Sequence, residues 1–116
     1  MSKLLIHLTR GPEDPTRAAL AFLVARAAIE AGHEVTMFLA ADAVQLLREP
    51  VLDALVGLGT GVLRESYDAV VNGGARLFVS GMSSKARGFD PAGVAEPATP
   101  DRLVELAFEA DRVLTY

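Results

Sequence analysis

Apolar positions along this chain switch repeatedly between strand and helix spacing. Over Lys3–Thr9, Leu4, Ile6 and Leu8 fall on one side of a strand, with Leu5, His7 and Thr9 on the other. Apolar residues on both sides suit a parallel strand covered on two faces, where His7 reads as a core histidine. Asp14 followed by Pro15 has the form of an N-cap and a first helical residue, and Gly32 that of a C-terminal stop. The helix between them is apolar nearly all round, with only Arg26 and Glu30 as a polar edge. Such a helix is buried on more than one side, here against the sheet and against a neighbouring helix or a second subunit. Arg17, in its first turn, reads as a surface arginine leaning toward the strand ends.

His33–Ala40 predicts a second strand. Asp42 predicts the cap of a short helix through Arg48, and Pro50 stops or restarts it. Residues 51–58 continue as a helical or irregular apolar segment. Gly57, Gly59 and Gly61 resemble a nucleotide fingerprint, but Val62 stands where the third glycine belongs and no strand precedes; a flexible connection is expected. Val62–Asn72 predicts a helix, with Leu63, Tyr67, Val70 and Val71 on one face and Arg64 able to pair with Asp68. Asn72-Gly73-Gly74 stops it, and Ala75–Val79 is a third strand. The prolines and glycine between Phe89 and Ala98 leave room for a very short strand near Val94. Thr99-Pro100 opens a last helix with Leu103, Leu106, Ala107 and Ala110 on its stripe; Asp111 ends it, and Arg112–Tyr116 is a final strand. This alternation argues an α/β fold with a parallel sheet flanked by helices. At 116 residues, one domain spanning 1–116 is expected.

The third strand delivers the chain to Ser80-Gly81-Met82-Ser83-Ser84-Lys85-Ala86-Arg87-Gly88, the densest cluster of small polar groups behind any strand. Ligands of α/β proteins bind outside the carboxyl ends of the strands. A short helical turn starting near Ser83 would aim free N–H groups at an anion, reinforced by Lys85 and Arg87. A solvated loop that reverses the chain is the plainer reading. Arg87 has a structural alternative, a bridge to a backbone carbonyl or to a carboxylate such as Asp90. Thr9, Arg10 and Gly11, after the first strand, are expected to supplement the site. The candidate ligand-binding residues are therefore Ser80, Gly81, Met82, Ser83, Ser84, Lys85, Arg87, Thr9, Arg10 and Gly11.

Composition narrows the chemistry. The chain has no cysteine, which excludes disulfides, thiolate metal ligands, a cysteine nucleophile and a persulfide carrier. Its two histidines, His7 and His33, are too few and too far apart for a zinc site, so no metal is expected. Net charge is −4 without a basic run, which argues against nucleic acid. No uncharged apolar stretch approaches the roughly 20 residues of a membrane span. The N-terminal apolar run is too brief for a signal segment, so a cytoplasmic protein is the expectation. Serine chemistry needs an adjacent base. GxSxG and SxxK are both absent, leaving only Ser80 or Ser83 with Lys85 or His7 as a hydrolase alternative.

The opening strand with Gly11-Pro12-Glu13-Asp14-Pro15, the helix closing in Ala31-Gly32-His33-Glu34-Val35, the Ser80–Gly88 segment and the terminal Asp111–Tyr116 strand resemble the DsrE/DsrF-like sulfur-relay family, in the same order and over nearly the whole chain. The resemblance implies a three-layer α/β/α domain with a mainly parallel sheet of about five strands, often assembled as trimers or hexamers. In sulfur-carrying members a cysteine occupies the position matching Ser80, and in some relatives also that matching Ser83. Both are serine here, so the family's sulfur-transfer residue does not carry over. The expectation is a non-catalytic homo-oligomeric subunit or small-anion-binding module without a cofactor. The alternative is an inactive scaffold for a thiol-bearing DsrE-family partner.

Overall fold

The computed structural model describes all 116 residues. The chain begins with β1 (Lys3–Leu8) and α1 (Pro15–Glu30). Asp14 caps α1 by accepting the Arg17 N–H at 3.3 Å. Beyond the helix, Gly32 adopts φ +90°, with its N–H on the Ile29 carbonyl and the His33 N–H on the Ala28 carbonyl. That paired closure needs a left-handed residue, which glycine supplies at little cost. Next come β2 (Glu34–Leu39), a 3₁₀ segment Ala41–Leu47, and α2 (Glu49–Ala54) with Pro50 in its first turn.

The glycine-rich connection is an ordered hairpin rather than a flexible link. In it β3 (Val56–Gly57) pairs antiparallel with β4 (Gly61–Val62). Then follow α3 (Leu63–Asn72), β5 (Arg76–Ser80), α4 (Gly81–Ala86), β6 (Glu96–Ala98), α5 (Pro100–Glu109) and β7 (Arg112–Thr115). Arg64 pairs with Asp68 as expected, and also with Glu49 and Asp53, tying α3 to α2. Thr99 caps α5 through the Arg102 N–H. The short strand expected near Val94 lies two residues later, at Glu96.

Five strands form one sheet in the order β6-β5-β2-β1-β7, every neighbouring pair parallel. Two apolar clusters cover its faces. The larger joins Ile6, Leu8, Met37 and Leu39 to Phe22 of α1 and Val70 of α3. The smaller joins Leu5, Phe38 and Phe78 to Leu106 of α5. This is the three-layer α/β/α arrangement that the alternation and the family resemblance imply. No helix is long and apolar enough to cross a membrane.

His7 lies on the α5 side of the sheet, half-buried, with its ring edge-on to Phe38 at 5.9 Å. Burial pushes its imidazole below the ordinary 6.5. The folded state thus favours the neutral ring more than the unfolded chain does. This contribution to stability is complete above the unfolded value and is lost as pH falls through the lower folded value. Urea midpoints should fall as pH drops from about 7.5 to about 5, and His7→Phe should flatten that dependence. The same slope in parent and variant would remove His7 from the effect.

Candidate functional site

The carboxyl ends of β2 and β5 lie side by side, and the segments leaving them are bonded together. Ser80 ends β5 and caps α4, with its Oγ accepting the Ser83 N–H at 3.1 Å. The helix therefore begins at Gly81, earlier than the turn expected near Ser83, and most of the expected loop is helical. Serine and glycine favour turns through local side-chain bonding and backbone freedom, but serine in particular is a strong N-cap. Here the cap decides the local structure.

Ser83 reaches the other way. Its Oγ accepts the Ala41 N–H at 2.8 Å. Ala41 has φ +52°, a left-handed conformation that costs a non-glycine residue on the order of 1 kcal/mol. The expected capping role of Asp42 is not seen: no side chain caps the 3₁₀ segment. Instead the Asp42 carboxylate accepts Arg87 Nε at 3.0 Å, while Arg87 Nη1 donates to the Ser83 carbonyl at 3.2 Å. Arg48 Nη2 donates to the Arg87 carbonyl at 2.8 Å, and the Arg48 guanidinium lies 5.4 Å from the Phe89 ring centroid. Arg87 thus takes the structural role weighed for it, with Asp42 rather than Asp90 as its carboxylate.

Gly11 belongs to the same junction. It is buried against the Asp42 backbone, and its N–H donates to Glu13 Oε1 at 2.7 Å. Thr9 and Arg10 make no hydrogen bond to the serines. The Thr9 hydroxyl donates to the Tyr116 carbonyl, and Arg10 is exposed without a carboxylate partner. Those two residues stand at the β1 end, where β1 separates β2 from β7 and the strand order reverses. That is the usual ligand crevice of such sheets.

A cleft of about 540 Å³ lies beside α4, lined by Gly81, Ser84, Lys85, Phe89, Asp90, Pro91, Ala92 and Pro97. Thr9, Arg10 and Gly11 do not line it. Lys85 is exposed at this cleft and has no carboxylate partner. Met82 is 68% exposed. Ser84 is buried, and its hydroxyl has no hydrogen-bond partner.

Chemically, the Ser80 and Ser83 hydroxyls act as acceptors for backbone N–H groups. Neither Ser80 nor Ser83 touches a base. His7 is two strands from Ser80 and level with Phe78, a backbone separation of about 12 Å at the usual interstrand spacing and rise. The residues that sequence reasoning missed are Asp42 as an ion-pair partner, Ala41 and Arg48. The one available signal was that Asp42, like the serine-rich segment, follows the end of an expected strand.

No curated protein matches the sequence. Among solved structures, the fold is similar to the ychN protein from E. coli (TM-score 0.82, 18% identity, covering 100% of both chains). It is also similar to BT1422 from Bacteroides thetaiotaomicron, a conserved protein of unknown function (TM-score 0.74, 12% identity, covering 99% of this chain and 95% of that one). The sequence profile of the DsrE/DsrF-like family matches residues 2–116. With that match over nearly its full length, the chain belongs to the DsrE/DsrF-like family.

Proposed function

We propose that this protein is a non-catalytic member of its family, a subunit that works through binding and assembly rather than by carrying sulfur. One observation supports this most: the two hydroxyls at the positions matching family cysteines, Ser80 and Ser83, both accept backbone N–H groups within the α4 junction. A persulfide carrier needs a thiolate, and the chain has no cysteine. Mass spectrometry after treatment with a persulfide donor should show no added sulfur. Sulfur bound covalently to the parent protein would overturn the reading. A thiol-bearing relative is the partner that such a subunit would scaffold.

A second reading, capture of a small anion, draws support from Lys85, a cation without a carboxylate partner at the cleft. Arg87 supports it less, because Asp42 takes its charge. The two cations separate the roles. Arg87→Ala should lower stability in sulfate-free buffer by about 1–2 kcal/mol, the scale of hydrogen bonds to charged groups discounted for partial exposure. Lys85→Ala should leave that stability unchanged and remove only the thermal protection given by sulfate. Equal sulfate protection of parent and Lys85→Ala would exclude Lys85 from an anion site.

A further inference from the structure

The cleft beside α4 has walls that hold their shape without a ligand. Gly88, at φ +63°, turns the chain at the end of α4, and the Phe89 N–H then donates to the Ser84 carbonyl at 2.9 Å. This helix-end closure fixes Phe89 beside Ser84. Asp90 Oδ1 accepts the Ala92 N–H at 3.0 Å, and the Pro91 carbonyl accepts the N–H groups of Val94 and Ala95. Pro97 is held in β6, in register with Val79 of β5. At about 540 Å³ the cleft falls within the roughly 300–1,000 Å³ of small-molecule sites, which are likewise pre-formed and mostly apolar with few polar groups. A bare sulfate would leave most of that space empty.

Three polar side chains belong to residues lining the cleft, Ser84, Lys85 and Asp90. Lys85 and Asp90 carry opposite charges, and neither is paired with the other or with any other ionic side chain. Arg87, by contrast, is neutralised by Asp42. Ser84 is only 2% exposed, and its hydroxyl has no hydrogen-bond partner. A serine inside a helix can turn its hydroxyl onto a carbonyl one turn back, and this one does not. A buried hydroxyl left unpaired is costly unless something else completes its bonding.

The pairing of charges narrows the ligand class. An anion alone would satisfy Lys85 but share the cleft with the Asp90 carboxylate. A cation alone would meet the reverse conflict. A molecule that carries both charges on an apolar body suits Lys85, Asp90 and the apolar walls together. We propose that this cleft binds an α-amino acid with an apolar side chain. Its carboxylate faces Lys85, its ammonium faces Asp90, and its side chain lies against Phe89, Pro91 and Pro97. The Ser84 hydroxyl completes its bonding at the polar end. This deepens the anion reading of the cleft and rests on it for the role of Lys85.

Calorimetric titration of the full chain with three probes of one shape tests the charges separately. The probes are phenylalanine, hydrocinnamate, which lacks the ammonium, and phenethylamine, which lacks the carboxylate. Phenylalanine should bind with a Kd of about 1 mM or below. Each of the other two should bind at least about fivefold more weakly. Lys85→Ala should abolish the preference for phenylalanine over phenethylamine. Asp90→Asn, which keeps the oxygen that accepts the Ala92 N–H, should abolish the preference over hydrocinnamate. Ser84→Ala should weaken phenylalanine binding without lowering the urea midpoint, because it removes an unpaired hydroxyl from a helix. Absence of phenylalanine binding would overturn the proposal. So would hydrocinnamate binding as tightly as phenylalanine, or preferences unchanged in Lys85→Ala and Asp90→Asn. Sulfate separates this failure from that of the anion reading. If sulfate protection depends on Lys85 while phenylalanine does not bind, only the amino-acid proposal falls. If Lys85→Ala keeps full sulfate protection and the full preference over phenethylamine, both fall.

Discussion

Gly11→Ala should destabilise the protein by roughly 3 kcal/mol, lowering Tm on the order of 10 °C. A Cβ at this position would stand 2.1 Å from the Asp42 carbonyl oxygen and 2.5 Å from its carbon. Both obstacles are backbone, so no flexible side chain can move aside. Relief requires the 3₁₀ segment to retreat from the β1 loop, which would disturb the Asp42–Arg87 pair and the Ala41–Ser83 bond together. Gly81→Ala is the matched control, because its Cβ would meet only the Ala98 carbonyl oxygen at 3.6 Å, an ordinary contact. Alanine also favours the first turn of α4 over glycine. Chemical unfolding of both variants checks the contrast. If Gly11→Ala is as stable as Gly81→Ala, the close approach of the β1 loop to Asp42 is not a constraint on this fold.

The parts of the fold legible in the sequence were those marked by local chemistry. Asp14-Pro15 and Thr99-Pro100 marked two helix starts because a capping side chain followed by proline acts within four residues. β1, β2 and β5 were visible as apolar runs because central parallel strands are buried on both faces. Two segments were misread where local and tertiary preferences diverge. The glycines at 57, 59 and 61 suggested a flexible link, yet Gly59 and Gly61 take φ of +77° and +75° in an ordered hairpin. The Ser80–Gly88 segment suggested a loop, yet one cap and its contacts with the 3₁₀ segment hold six residues as helix.

At the site, residue identity was legible and pairing was not. Lys85 and Arg87 look equivalent in sequence, two cations with one residue between them. Asp42 neutralises only Arg87, from 45 residues away, and no local pattern encodes that contact. Likewise the apolar circumference of α1 suggested burial on several sides. The single chain covers the side of Phe22 and leaves Leu20 and Ala27 in the open.

Ser80→Cys should convert a silent site into a reactive one. The new sulfur would occupy the cap position of α4, where the Ser83 N–H already donates to the serine oxygen at 3.1 Å. A thiolate there gains that donor and the positive end of the helix, so its pKa should fall below the ~8.5 of free cysteine. Arg87 adds little, since Asp42 takes its charge. Burial opposes the shift, because position 80 is only 8% exposed. The N–H donor acts directly on the sulfur, so lowering should win. Ser83→Cys would face a single N–H from Ala41 and lies inside α4 rather than at its cap. It should titrate higher and label more slowly near neutral pH.

The deciding measurement is the pH dependence of iodoacetamide labelling of Ser80→Cys, with its mass recorded after exposure to a persulfide donor. A thiol that titrates below the free value and gains about 32 Da, one sulfur atom, is the expected result. It would mean that the site kept its geometry and lacks only the reactive atom. A thiol that titrates at or above ~8.5 and takes up no sulfur would contradict this, and would mean that the junction has been rebuilt for another purpose.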